Sequence, residues 1–224
     1  MTDNRSLQNR FLRQIEIVSP EKLAFPITVI GAGAIGSATV LTLVKMGCSD
    51  ITVWDADTLE EVNIPNQLCK PSLIGKPKVE ALAQLVYELT EVQIKQINRR
   101  YTGQNLKGVV VVTVDNMAGR KNVWKRVKLN TKIPLLVDAR MGAEFARIYA
   151  VCPTNIEQTD FYQQNLYGSD EAEHLPCSAR SIIYCPMVIA GFITLLVKKY
   201  AVNQPLPREI LIDLPNLILQ TQNH

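Results

Sequence analysis

A short apolar run ending in three spaced glycines constrains this chain more than any other feature. Ile27-Thr-Val-Ile30 has the character of a strand buried on both faces, and Gly31-Ala-Gly33-Ala-Ile-Gly36 follows it directly. A second apolar stretch, Ile51–Trp54, delivers Asp55 at 24 residues after Gly31. In a strand–turn–helix–strand unit of this spacing, Gly31 makes the tight turn. Gly33 lets backbone N–H groups approach phosphate oxygens, and Gly36 permits close helix–strand contact. The phosphates of a nucleotide then rest on a helix N-terminus, and its ribose hydroxyls face Asp55. The pattern reads as an adenosine-nucleotide site and does not by itself separate NAD from ATP.

The rest of the chain continues the alternation. The spacing predicts a helix from about Ala34 to Met46, with Gly47 as its stop. Another begins at Pro77 with a buried stripe of Val79, Leu82, Leu85, Val86 and Leu89. Val92–Ile97, Val109–Val114, Pro134–Val137 and Phe145–Val151 read as strands, with Gly142 turning between the last two. A helix runs from Asn116 to about Asn130, and Arg120, Lys121, Lys125, Arg126 and Lys128 read as its solvated face. Residues 4–16 carry Leu7, Phe11 and Ile15 at the interval of an amphipathic helix. Residues 55–74 and 153–180 read as long irregular segments, and segments of that length are usually functional. An apolar helix at 181–200 and strand pieces at Ile210–Leu214 and Leu217–Leu219 close the chain. The fold class expected is α/β: a Rossmann-like, doubly wound, mostly parallel sheet with helices on both faces and its ligand beyond the strand C-terminal ends.

Composition excludes several function classes. A net charge of +3 is too small to argue for nucleic acid or an anionic membrane surface. The run Ile182–Val197 is interrupted by Pro186 and Gly191 and falls short of the ~20 residues needed to cross a bilayer, so it reads as a core helix. The N-terminus lacks a secretory pattern, and cytoplasmic placement is expected. Five cysteines, 48, 69, 152, 177 and 185, form no C-x-x-C pair and imply reduced thiols rather than disulfides or structural zinc. Two histidines supply little for a metal site or a triad.

Residues after Asp55 favour ATP. Asp55-Ala-Asp57 is followed by Asn63-Ile-Pro-Asn66-Gln67, Gly75-Lys76-Pro-Lys78 and Asp115-Asn116-x-x-x-Arg120. Around one triphosphate, an amide can hold a phosphate oxygen, a lysine can neutralise charge growing on the α-phosphate, and an acid can hold Mg²⁺. Each also has a plainer role. Asp57 can cap a turn, Asn63 can be a turn residue, Lys78 a surface lysine and Asp115 a helix-terminal acid.

Taken in order, these motifs resemble the ThiF/MoeB-type activating enzymes, bacterial relatives of the ubiquitin-activating adenylation domain. Arg10-Phe-Leu-Arg13-Gln14 resembles the family's R-Y-x-R-Q opening, GAGAIG its glycine loop and Asp55-Ala-Asp57 its D-x-D. Asn63-Ile-Pro-Asn66-Gln67 resembles N-L-x-R-Q, Gly75–Lys78 resembles G-x-x-K, and Asp115-Asn116 the acid before the D-N helix. The resemblance implies a single adenylation domain over 1–224. Within it stand an N-terminal helix (1–20), a nucleotide-binding core (27–152), a crossover segment (153–180) and a C-terminal helix with strands (181–224). It further implies that Gly31, Gly33, Gly36, Asp55, Asp57, Asn63, Asn66, Gln67, Lys78, Asn116 and Arg120 surround ATP, and that Asp115 holds Mg²⁺. Arg13 is implied to reach the phosphates of a neighbouring subunit in a homodimer. Cys177 stands where the family often carries a covalent cysteine, and Arg180 could lower its pKa.

The implied reaction is attack by the C-terminal carboxylate of a small ubiquitin-like or sulfur-carrier protein, ending in glycine, on the α-phosphorus of ATP. Thioester formation could follow. Peptide adenylation, a degenerate nucleotide-binding partner subunit and NAD(P)-dependent oxidoreduction are the alternatives. The chain departs from the family at Asn66, where an arginine is usual. Arg140, expected just past a strand ending at Asp138, is the substitute to test. Paired C-x-x-C ligands are also lacking, and no rhodanese or ubiquitin-fold extension is expected.

Overall fold

The computed structural model describes residues 9–167 and 181–223. One eight-stranded sheet organises them, in the order β3-β2-β1-β4-β5-β6-β7-β8. The strands are β1 (Ile27–Ile30), β2 (Ile51–Asp55), β3 (Lys95–Asn98), β4 (Val109–Val112), β5 (Leu136–Gly142), β6 (Phe145–Val151), β7 (Glu209–Asp213) and β8 (Ile218–Gln222). The first five are parallel, and β6, β7 and β8 extend them as an antiparallel meander. Helices α1 (Ala34–Met46), α2 (Lys78–Thr90), α3 (Met117–Val127), α4 (Ile156–Gln164) and α5 (Tyr184–Ala201) cover both faces.

The four valines of β4 show why the centre of the sheet is apolar without alternation. Val109 and Val111 pack into the layer under α1, α2 and α5, with Leu43, Val86 and Ile193. Val110 and Val112 pack into the opposite layer under α3 and α4, with Val123, Trp124 and Tyr162. Side chains alternate faces along a strand, so a strand covered on both sides must be apolar at every position. Helix α5 is long and apolar enough to cross a membrane by length and composition. Its Cys185, Ile189, Ile193, Leu196 and Val197 are buried, the inward face of a core helix.

The ends of α1 are where the glycines put them: Gly33 precedes it, and Gly47, at φ +116°, stops it. Several expectations need correction. The N-terminal segment is helical at Asn9 and Arg10 and then turns repeatedly through Ile17. There Gln14 donates through Nε2 to the Met46 carbonyl at 2.6 Å, and the space over Gly47 is filled by the Phe11 ring. Ile15 is exposed, as is Leu89 at the end of the expected α2 stripe. The turn of the β5–β6 hairpin lies at Ala143-Glu144, not Gly142. The segment 153–180 is not irregular throughout. It contains α4, capped by the Asn155 side chain accepting from Gln158 N, with Thr159 and Tyr162 facing inward.

Candidate nucleotide site

The glycine loop leaves β1 at the carboxyl edge of the sheet, and its three glycines differ in what demands them. Gly31 adopts φ +106°, and a Cβ there would stand 2.8 Å from the Thr113 carbonyl. A Cβ on Gly36 would meet the Gly31 carbonyl oxygen at 1.9 Å. Both positions are therefore closed to other residues by the chain's own packing. Gly33 differs: nothing lies within 4 Å of where its Cβ would be. The open space stands before the first turn of α1, where Gly33 caps the helix without a side-chain hydrogen bond. Uncapped N–H groups at a helix start, with room above them, are suited to phosphate oxygens.

Thr113, absent from the sequence reading, holds this loop to β4, its hydroxyl donating to the Gly31 carbonyl at 2.9 Å. Asp55 holds it to β2. One carboxylate oxygen accepts from Ala32 N at 2.6 Å and the other from Asp57 N at 2.8 Å. Asp55 is thus first a brace for the loop, with lone pairs left over for a ribose hydroxyl.

From Asp57 the site passes to a second crossover. A bridge between Thr58 and Pro77 closes the irregular segment, and Lys78 N donates to the Asp57 carbonyl at 2.8 Å. The Lys78 ammonium lies 3.0 Å from the Asp57 carboxylate, with side-chain exposures of 13% and 55%. A lysine and an acid from distant points in the chain are thereby fixed beside the glycine loop.

Asn63 caps a short turn, its amide oxygen accepting from Glu60 N at 2.9 Å. Its carbonyl accepts from Gln67 N at 2.9 Å. Leu68 N donates to Ser37 Oγ at 3.2 Å, bringing this segment onto the first turn of α1. The side-chain oxygen of Asn66 is buried with no hydrogen-bond partner among the described residues. A buried polar atom in that condition marks a place for a further group.

Asp115 and Asn116 follow β4, whose Val112 is in register with Ile30 of β1, so they leave the same edge of the sheet. Asn116 caps α3 by accepting from Gly119 N at 2.8 Å and donates to the Asp115 carboxylate at 2.8 Å. Asp115 is exposed.

Two arginines do not behave as the sequence suggests. Arg120 is buried inside α3, with Nε 3.0 Å from Asp138 and a second bond to the Ala139 carbonyl at 3.1 Å. It is a structural ion-pair residue rather than a nucleotide contact or part of a solvated face. Strand β5 does not stop at Asp138 but runs on to Gly142, so Arg140 lies within it. Arg140 pairs with the other Asp138 oxygen at 2.9 Å, donates to the Asn165 carbonyl at 2.8 Å and lies over the Tyr149 ring. The substitution expected of it at the phosphate site is not what this geometry provides.

Arg13 is exposed on the N-terminal segment. That segment is tied to the C-terminal ends of α1 and α2, through Gln14 to Met46 and Arg10 to Thr90. A helix of 13 residues rises about 20 Å, which separates Arg13 from its own glycine loop. Cys177 and Arg180 lie outside the described residues. Cys48, Cys69, Cys152 and Cys185 are free thiols. Burial pushes the Cys48 thiol up to about 12 and raises Cys69 and Cys185 as well, the reverse of what activates a nucleophile.

Fold and loop together define an α/β protein whose glycine loop at the carboxyl edge of the sheet is linked through Asp55 and Asp57 to Lys78. The chain belongs to the ThiF family, whose pattern matches residues 14–220. It is similar to the adenylyltransferase and sulfurtransferase UBA4 of Yarrowia lipolytica, 38% identical over 63 residues, which cover 28% of this chain and 16% of that protein. It is also similar to the SAMP-activating enzyme E1 of Haloferax volcanii, 30% identical over 111 residues, covering 46% of this chain and 41% of the relative. These matches therefore span less than half of each curated relative. Among solved structures, E. coli MccB with AMPCPP and MccA superposes at a TM-score of 0.74 with 18% identity, covering 96% of this chain and 71% of that one. The last likeness establishes the fold.

Proposed function

We propose that this chain activates a carboxylate by ATP-dependent adenylation, and that the carboxylate is the C-terminus of a small ubiquitin-like or sulfur-carrier protein ending in glycine. The observation that carries the reading is the continuous link from Ala32 through Asp55 and Asp57 to Lys78. A dinucleotide oxidoreductase has no need of a lysine there, whereas a triphosphate brings charge to be neutralised. The names of the two curated relatives support a carrier-protein substrate, and the MccB–MccA complex keeps a peptide as the second reading.

In the proposed reaction a carboxylate oxygen bonds to the α-phosphorus, the bond from that phosphorus to the bridging oxygen breaks, and pyrophosphate leaves. The first turn of α1 would receive phosphate oxygens, Asp55 the ribose, and Asn63, Asn66 and Gln67 would line the same space. Lys78 would exchange its contact with Asp57 for the phosphates. No group of three metal-ligating side chains stands among the described residues. Magnesium at Asp115 would therefore take phosphate oxygens and water for its remaining positions. Arg13, held away from its own loop, would act in the site of a second copy, making the enzyme a homodimer. A covalent step at Cys177 is a further part of the reading.

ATP–pyrophosphate exchange with purified candidate carriers tests the proposal. Exchange is expected with a Gly-Gly carrier and not with the same carrier lacking its last residue. Tight NADH binding without ATP binding would refute it.

A further inference from the structure

Away from the nucleotide loop, a groove of about 500 Å³ runs between α3 and α4, lined by Lys121, Trp124, Lys125, Lys128, Gln163 and Leu166. The three lysines follow one another at four and three residues, two on α3 and Lys128 at its C-cap, spanning about 10 Å. Among the described residues none of them makes an ion pair; Lys128 donates to the Gln163 side-chain oxygen at 2.5 Å. Beneath them Trp124 is 6% exposed, and its indole N–H is buried with no acceptor among the described residues. The groove thus offers ammonium groups above an apolar floor, and its one side-chain acceptor is already used.

Such a lining asks for acceptors, and the geometry narrows their source. The lysines are spread along about 10 Å, which suits a series of carboxylates better than one small oxyanion. The Trp124 ring packs edge-on against Tyr162, with centroids 4.8 Å apart, and presents no open face on which a base could stack. Carboxylates interleaved with an apolar side chain satisfy all the features together. We propose that this groove docks an acidic segment of a protein partner. Two or three carboxylates would meet Lys121, Lys125 and Lys128, and one apolar side chain would rest on Leu129 and Leu166, which line the groove above Trp124. The proposal stands apart from the adenylation reading, since none of these residues belongs to the nucleotide site.

The test uses the full chain with ¹⁵N-labelled tryptophan and the peptide acetyl-Glu-Leu-Glu-Glu-Leu-Glu-amide. The Trp124 indole resonance should move on titration while that of Trp54 stays. Affinity should fall about tenfold or more in K121E/K125E, with ATP–pyrophosphate exchange unchanged. An unmoved Trp124 signal, or equal affinity in K121E/K125E, overturns the proposal. So does an equal shift caused by inorganic phosphate or a short oligothymidylate. If the peptide binds only after Asp170, Glu171 and Glu173 are neutralised, the occupant is this chain's own acidic stretch and docking of a partner falls.

Discussion

Two acid–base clusters lie near the carboxyl edge of the same sheet, and they could hardly be treated more differently. Lys78 and Asp57 meet at a rim where the lysine is largely covered and the acid is more than half exposed. Arg120 and Arg140 meet Asp138 beneath α3 and α4, where the carboxylate is completely buried. Asp138 also accepts from the Tyr162 hydroxyl at 3.1 Å, so its oxygens are fully engaged. A charged pair on a rim can release its partner to a ligand at little cost. A buried one cannot, because whichever ion is left behind has lost its hydration. Availability to substrate therefore follows from what covers a charge, not from its residue type.

The comparison breaks most sharply at Asp138. Replacing it with alanine leaves two buried guanidinium groups without a counter-charge and should cost about 3–5 kcal/mol in denaturant unfolding; a loss below 1 kcal/mol would mean water already reaches the cluster. Lys78→Ala should instead cost about 1 kcal/mol or less, since its acid partner is solvated, and lower ATP–pyrophosphate exchange by about 10²–10³-fold. Loss of stability without loss of exchange would move Lys78 to the structural class.

The loop glycines sharpen the same contrast. Gly36→Ala must displace the Gly31 carbonyl and should destabilise by about 1–3 kcal/mol. Gly33→Ala should fold with undiminished stability and bind ATP about tenfold more weakly, read by calorimetry. If the two variants behave alike, the open space over Gly33 is not a phosphate seat.

The smallest effect is at alkaline pH. Burial pushes the Tyr149 phenol up to about 12 and Tyr162 well above the ordinary tyrosine range. Their folded-state values exceed the unfolded ones, so this contribution is intact below about pH 10 and fades as pH climbs through the folded values. Phenolate absorbance should show both rings un-ionised until the fold opens, and early ionisation would show the buried cluster to be wet.

Much of this was legible in advance. The limits of α1, the alternation of the first strands and helices and the start of α2 follow from local signals: apolar runs, glycine stops and a proline at a helix start. Helix α4 escaped because Ile156–Gln164 is mixed and weakly amphipathic, carrying only Thr159 and Tyr162 inward. Arg120 was misread because a charged residue on a helix otherwise rich in lysine looks solvated until Asp138 is seen opposite. Arg140 was misplaced because an antiparallel extension of β5 has no signature at the point where its parallel pairing with β4 ends.

Sequence alone determined the strand–glycine loop–helix unit, since backbone geometry at Gly31 and Gly36 and the burial of valine-rich strands are dictated within a few residues. Tertiary structure alone decided which charges face a ligand and which are sealed in the core. It did so because solvation depends on neighbours brought from elsewhere in the chain, and no local spacing encodes them.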